Sequence, residues 1–178
     1  MQVWLDQVRE EPFNWDETQR IAPETLDRPE LLDLSPVAWK GQIVFADPGY
    51  YLRAHVSYEQ TLSCIRCLKP IVEPASADVE LMILVDRRGE PEHEHALHEQ
   101  DMSILYVDEE VLQTDPILVE QLQLNIPMKP LCRPDCKGLC PECGADLNAG
   151  PCSCATQTAD PRWAALGALK SRLDGPKD

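Results

Sequence analysis

Six of the chain's eight cysteines fall in CRPDCKGLCPECGADLNAGPCSC, from Cys132 to Cys154, and the other two, Cys64 and Cys67, form CIRC far upstream. Thiols at such spacings serve as disulfide partners, redox pairs or metal ligands. The chain opens MQVWLDQVREEPFNW, without the basic start and apolar run of a signal peptide, and is read as a cytosolic protein complete from Met1. In a reducing compartment, metal ligation is the favoured use of eight thiols. Cys140-Pro-Glu-Cys143-Gly144 has the form of a zinc knuckle: two cysteines separated by two residues turn both sulfurs toward one ion. Gly144 supplies the positive-φ position that follows. Cys152 and Cys154, two apart, reach the same ion from one side of an extended strand. The result is a C-x2-C-x8-C-x-C ribbon around a closed, four-thiolate structural zinc.

Cys64, Cys67, Cys132 and Cys136 remain, a second set of four that would tie the upstream pair to the start of the tail. A competing grouping, with Cys132, Cys136, Cys140 and Cys143 on one ion, satisfies the spacing as well. Either way two structural zinc ions per chain are expected. A thioredoxin-like use of CIRC needs a strand-to-helix βαβ context, and none is visible. His93, His95 and His98 lie among glutamates and read as solvated. They lack the His-Glu-x-x-His pattern of zinc proteases, because position 97 is Leu.

The elements that must position these thiols are mostly strands. Residues 1–36 look Pro-rich and irregular, with VWL and PFNW as short strand candidates. WKGQIVF reads as a strand ended by Asp47-Pro48-Gly49. From Tyr50 the alternation is plain: Leu52, Ala54, Val56 and Tyr58 on one face, Arg53, His55, Ser57 and Glu59 on the other. ADVELMILVD repeats it with Val79, Leu81, Ile83 and Val85. CIRC sits between these two strands and so belongs at the tip of an antiparallel hairpin. Residues 37–86 are expected to form an antiparallel sheet curled into a small barrel or sandwich. SILYVDEEVLQTD reads as one more strand. Asp115 as N-cap and Pro116 at the first helical position start a helix that Pro127 stops, with Ile117, Leu118, Val119 and Leu122 inward. A terminal amphipathic helix, ADPRWAALGALKSRL, carries Trp163, Leu166, Leu169 and Leu173 on one stripe.

The expected class is therefore α+β: an antiparallel sheet with one packed helix, then a Cys-rich zinc ribbon and a terminal helix. The domain division expected is 1–130, an acidic sheet domain with a flexible acidic loop over 86–102, and 131–178, the zinc module with its helix. The net charge of −15 is uneven: residues 1–132 hold 25 Asp/Glu against 10 Lys/Arg, and residues 133–178 hold six of each. So acidic a body repels the phosphates of naked nucleic acid. No segment approaches the ~18 consecutive apolar residues of a membrane span. There is no phosphate-binding glycine loop, nucleophile elbow or patterned carboxylate pair, and a closed zinc site does not activate water. A non-enzymatic protein without a small-molecule substrate is expected.

PMKPLCRPDCKGLCPECGADLN, then CSC, then DPRWAALGALK, together with the upstream CIRCLKPI, resembles the YceD family, named for accumulation of large-subunit ribosomal RNA. The resemblance covers about residues 30–173. It implies a non-enzymatic factor in large ribosomal subunit biogenesis that binds ribosomal RNA or a basic large-subunit protein. It further implies association with the small zinc-ribbon ribosomal protein often encoded nearby. On that reading the neutral tail offers Arg133, Lys137, Arg162, Lys170 and Arg172 as RNA-facing positions. The ribbon and tail helix also suit a zinc-stabilised protein–protein adaptor unrelated to ribosomes.

Overall fold

The computed structural model describes residues 1–85, 103–154 and Leu166. The acidic loop expected over 86–102, with His93, His95 and His98, lies outside the described residues. So does the terminal helix apart from Leu166, which is helical and exposed. Two compact units, Met1–Cys136 and Lys137–Asp178, divide the chain.

The first unit is built on two long strands, β5 (Gly49–Ser63) and β6 (Pro70–Val85). They pair antiparallel from Tyr50↔Ile83 to Ser63↔Pro70. Along β5 every second residue from Tyr50 to Leu62 is buried, as a strand with one solvated face requires. Ahead of it, β4 (Val37–Ala46) forms a hairpin through Asp47-Pro48, whose peptide is cis. β2 (Phe13–Gln19) adds to the far edge of β4, and β3 (Leu31–Leu34) pairs with β5 beside it. β7 (Ile104–Val107) closes the list and runs parallel to β6. A separate two-stranded sheet joins β1 (Gln2–Trp4) to β8 (Val111–Gln113). Short α1 (Leu5–Val8) and α2 (Thr114–Asn125) complete the α+β class.

Several expectations change. The main sheet is open and not a closed barrel: its order β2-β4-β5-β6-β7 leaves β2 and β7 at the ends. It is also mixed, because β7 is parallel to its neighbour. Residues 1–36 are not irregular: they hold β1, α1, β2, β3 and a 3-10 turn at Pro23–Leu26. SILYVDEEVLQTD is two strands in different sheets, broken at the run Asp108, Glu109, Glu110. α2 begins one residue before Asp115, and no side chain caps it. Asp115 instead accepts a hydrogen bond from the Met1 ammonium at 2.5 Å. The helix end follows the sequence: Ile126 is extended, because a residue before proline is pushed out of the helical region.

The core lies between the inner face of the sheet and α2. Trp39, Leu52 and Ile83 from the strands and Leu118 and Leu122 from the helix are almost fully buried. Trp15 reaches it from β2 and meets Trp39 with ring centroids 5.5 Å apart. The position opposite Trp15 on β4 is Gly41. A Cβ there would stand 2.5 Å from Trp15 Cζ2 and 2.7 Å from the Ala54 Cβ. Gly41→Ala is therefore expected to lower stability by about 1–3 kcal/mol through overpacking. Thermal unfolding followed by tryptophan fluorescence checks it. An unchanged midpoint would mean that the Trp15 ring moves aside freely. Among the described residues, no helix is long and apolar enough to cross a membrane.

Candidate metal centres

The β5–β6 hairpin ends in Cys64-Ile65-Arg66-Cys67, as its place between two alternating strands requires. The Cys64 N–H donates to the Lys69 carbonyl at 2.9 Å, and the Leu68 N–H donates back to the Cys64 carbonyl at 2.8 Å. In the second unit Cys140-Pro-Glu-Cys143 repeats the device: the Cys140 N–H donates to Ala145 O at 2.8 Å and the Gly144 N–H to Cys140 O at 2.9 Å. The residue after each second cysteine has positive φ, 59° at Leu68 and 71° at Gly144. Both turns are thus knuckles of one design. CIRC hides this in sequence, because a leucine stands where a glycine would announce the turn.

The segment after α2 comes back to the first knuckle. The Ile65 N–H donates to the Pro130 carbonyl at 3.0 Å, and Arg66 Nη1 donates to the Cys136 carbonyl at 2.7 Å. This brings the thiols of Cys64, Cys67, Cys132 and Cys136 within 4.8 Å of one another, and the thiols of Cys140, Cys143, Cys152 and Cys154 form a second such group. Cys152 and Cys154 are not on a strand: residues 151–154 are bends and irregular chain. The ribbon is held instead by a Leu139↔Asp146 bridge and by Asn148, whose side-chain oxygen accepts the Lys137 N–H at 2.8 Å. Of the basic positions in the tail, Arg133 and Lys137 are exposed, with Arg133 Nε 3.5 Å from Asp135 Oδ1. Arg162, Lys170 and Arg172 lie outside the described residues.

Both groups suit a tetrahedral metal ion. Cys64 Sγ and Cys136 Sγ are 3.9 Å apart, and Cys67 Sγ and Cys132 Sγ 3.6 Å. A tetrahedron with metal–sulfur bonds near ~2.3 Å has edges of roughly 3.8 Å, whereas a disulfide holds its sulfurs at ~2.05 Å; all eight cysteines are free. The protonation chemistry agrees. Burial works against the Cys64 thiolate, but backbone N–H groups of Cys132, Cys67 and Arg66 outweigh it and bring the pKa down to about 6. Backbone N–H groups of Cys143 and Glu142 lower Cys140 to about 7. Their partners resist ionisation: burial and the neighbouring thiols push Cys132 up to about 12, and the Cys143 thiol followed by burial does the same to Cys154. Four thiols so close cannot all shed their protons unaided. A bound cation removes the conflict. These eight residues can hold two metal ions and, with every position filled by protein sulfur, would leave none for water or substrate.

Comparison with known proteins places this arrangement. Uncharacterized proteins of Mycobacterium bovis and Mycobacterium tuberculosis are 32% identical over 142 residues, 79% of this chain and 63% of theirs. The chain thus spans less than two thirds of their length. Uncharacterized protein YlbN of Bacillus subtilis is 26% identical over 171 residues, covering 96% of this chain and 95% of that one. A further relative, the Arabidopsis thaliana "Large ribosomal RNA subunit accumulation protein YCED homolog 1, chloroplastic", is 35% identical over 52 residues, 29% of this chain and 16% of its own. No solved structure matches. The family model described as "Large ribosomal RNA subunit accumulation protein YceD" matches residues 52–170, which include all eight cysteines. The chain belongs to the YceD family, whose name ties it to accumulation of large-subunit ribosomal RNA.

Proposed function

We propose that this protein is a non-enzymatic factor in large ribosomal subunit biogenesis, sustaining accumulation of large-subunit ribosomal RNA, with a structural zinc in each four-cysteine group. The observation that carries the reading is the family match, which runs from β5 through both cysteine groups. All-thiolate, tetrahedral sets favour zinc over harder divalent ions, and a closed site supports scaffolding rather than catalysis. Sedimentation tests the role. The tagged protein should co-migrate with large-subunit precursors, and its depletion should lower large-subunit RNA relative to small-subunit RNA. A protein confined to the top of the gradient, with an unchanged RNA ratio on depletion, would defeat the proposal.

For the metal, native mass spectrometry is expected to show two zinc ions per chain. A metal-free chain carrying four disulfides would refute it.

The charge selects the partner. With 25 acids against 10 bases over residues 1–132, the body favours a basic large-subunit protein and repels naked RNA. Steering by exposed charge weakens as salt screens it over ~8–10 Å. Titration at two salt concentrations should therefore show tighter binding to the basic protein than to ribosomal RNA, and a loss of that affinity at high salt. Tight RNA binding without any protein would transfer the contact to the basic residues of the tail.

A further inference from the structure

The two knuckles share their backbone hydrogen bonds, so differences between them are not demanded by metal binding. At the two positions between the cysteines and the one after, the second knuckle has Pro141, Glu142 and Gly144, and the first has Ile65, Arg66 and Leu68. Leu68 takes the positive-φ position at 59°, a conformation that a bulky L-residue adopts only at a cost. Its side chain is 65% exposed and that of Ile65 47%, so burial within this unit returns little for that cost. Strain kept at an exposed position points to a contact made outside the chain.

The surroundings say what kind of contact. Residues 61–72 and 121–134, joined by the Ile65–Pro130 hydrogen bond, contain no acid in a chain that has 31. The acids against them include Glu30, whose carbonyl meets Ser63 and whose carboxylate pairs with Arg28, Asp33 opposite Thr61, and Asp135 beside Arg133. They carry Arg66, Lys69, Lys129 and Arg133, and further exposed apolar side chains at Val72, Leu124 and Met128. They contain no aromatic residue, whereas single-stranded RNA is gripped largely by stacking on aromatic rings. Aliphatic anchors with a charged rim are the anatomy of a protein–protein contact.

We infer that the first knuckle is a docking surface, with Leu68 and Ile65 as its anchors, for a protein partner that presents an apolar patch bordered by Asp and Glu. Placing that partner on the large-subunit precursor rests on the function proposed above.

The test separates the anchor from the fold. In the full-length, zinc-loaded chain, Leu68→Gly removes both the strain and the anchor. Its thermal midpoint should rise by roughly 2–4 °C for each kcal/mol of relieved strain. Its co-sedimentation with large-subunit precursors should fall roughly tenfold or more, the loss expected when one leucine no longer buries. Leu68→Ala keeps the strain and should lose the association without the gain in midpoint. A role purely inside the fold would not move stability and association in opposite directions, and unchanged association in both variants overturns the inference. The class of partner is read by placing photoreactive p-benzoyl-phenylalanine at position 68, with position 142 of the other knuckle as the control. An adduct with an identified protein, mapped to an acid-bordered apolar surface, supports the inference. A crosslink to RNA, or none above the control, overturns it. If the wild type fails to sediment with precursors yet gives such an adduct with another identified protein, the ribosomal placement falls and the docking surface stands.

Discussion

Cys143→Ser is expected to unfold the ribbon over residues 137–154 and leave the main sheet standing. The reason is what the ribbon lacks. Within 137–154 the buried residues are Gly138 and Cys140, with no large apolar side chain among them. Among the described residues its ordered contacts include the Leu139–Asp146 bridge, the knuckle, the Leu147–Gly138 backbone hydrogen bond and the hydrogen bonds of Asn148 to Lys137 and Asp146. Hydrogen bonds of this kind contribute about 1 kcal/mol each. Fixing each backbone residue costs about 1–2 kcal/mol of entropy. The contacts among these residues do not offset that cost. A structural zinc supplies on the order of 10 kcal/mol, and in so small a unit that binding energy is the folding energy. Serine in place of one thiolate removes much of it. Hydrogen exchange read by peptide should show 137–154 at unprotected rates, with β5 and β6 as protected as in the wild type. Retained protection in the ribbon would mean that some other interaction organises it.

The mutant isolates a contrast that is also visible in how each part could be read from sequence. β5 declared itself through Leu52, Ala54, Val56 and Tyr58, because one face of that strand is solvated and the other is core. β2 did not. Its pattern FNWDETQ buries a single residue, Trp15, so no local alternation marks it. What holds it is the register Trp15↔Gly41 with a strand more than twenty residues away. The same applies to β7, whose parallel pairing with β6 depends on tertiary placement that four residues cannot encode. Periodicity reports burial on one side of a strand, and neither neighbour nor direction.

The cysteines show the same division. CPECG could be recognised as a knuckle because Gly144 marks the positive-φ turn. CIRC could be placed at a hairpin tip by the strands around it, but Leu68 disguised its geometry. Which thiols would meet is open on spacing alone, since Cys132 and Cys136 lie only eight and four residues before Cys140 and could share an ion with it. The return of 130–136 to the hairpin through the Ile65–Pro130 and Arg66–Cys136 hydrogen bonds brings them beside Cys64 and Cys67. Both bonds end on backbone carbonyls, which leave no trace in the type of the accepting residue.

The first centre does a different job from the ribbon, and Cys67→Ser should show it as a loss of stability in the sheet itself. Cys67 and Cys132 are 65 residues apart in sequence with sulfurs 3.6 Å apart, and Cys64 and Cys136 are 72 apart with sulfurs 3.9 Å apart. A metal held by all four closes loops that contain most of β6, β7, β8 and α2. Cross-linking a loop of this length restricts the unfolded chain by about 4 kcal/mol on the entropy model used for disulfides. The sheet and α2 share a core in Trp39, Leu52, Ile83 and Leu118 that needs no metal, so the variant should still fold. Its thermal midpoint should fall by roughly 10 °C, taking about 2–4 °C per kcal/mol for a chain of this size. Residues 127–136 should become open to protease, because the ligands that tie them to the hairpin no longer share an ion. Calorimetry of the two serine variants side by side decides the matter. The sheet transition should shift in Cys67→Ser and stay in place in Cys143→Ser. A sheet transition unmoved in both would mean that the first four thiols do not clamp the chain through a metal.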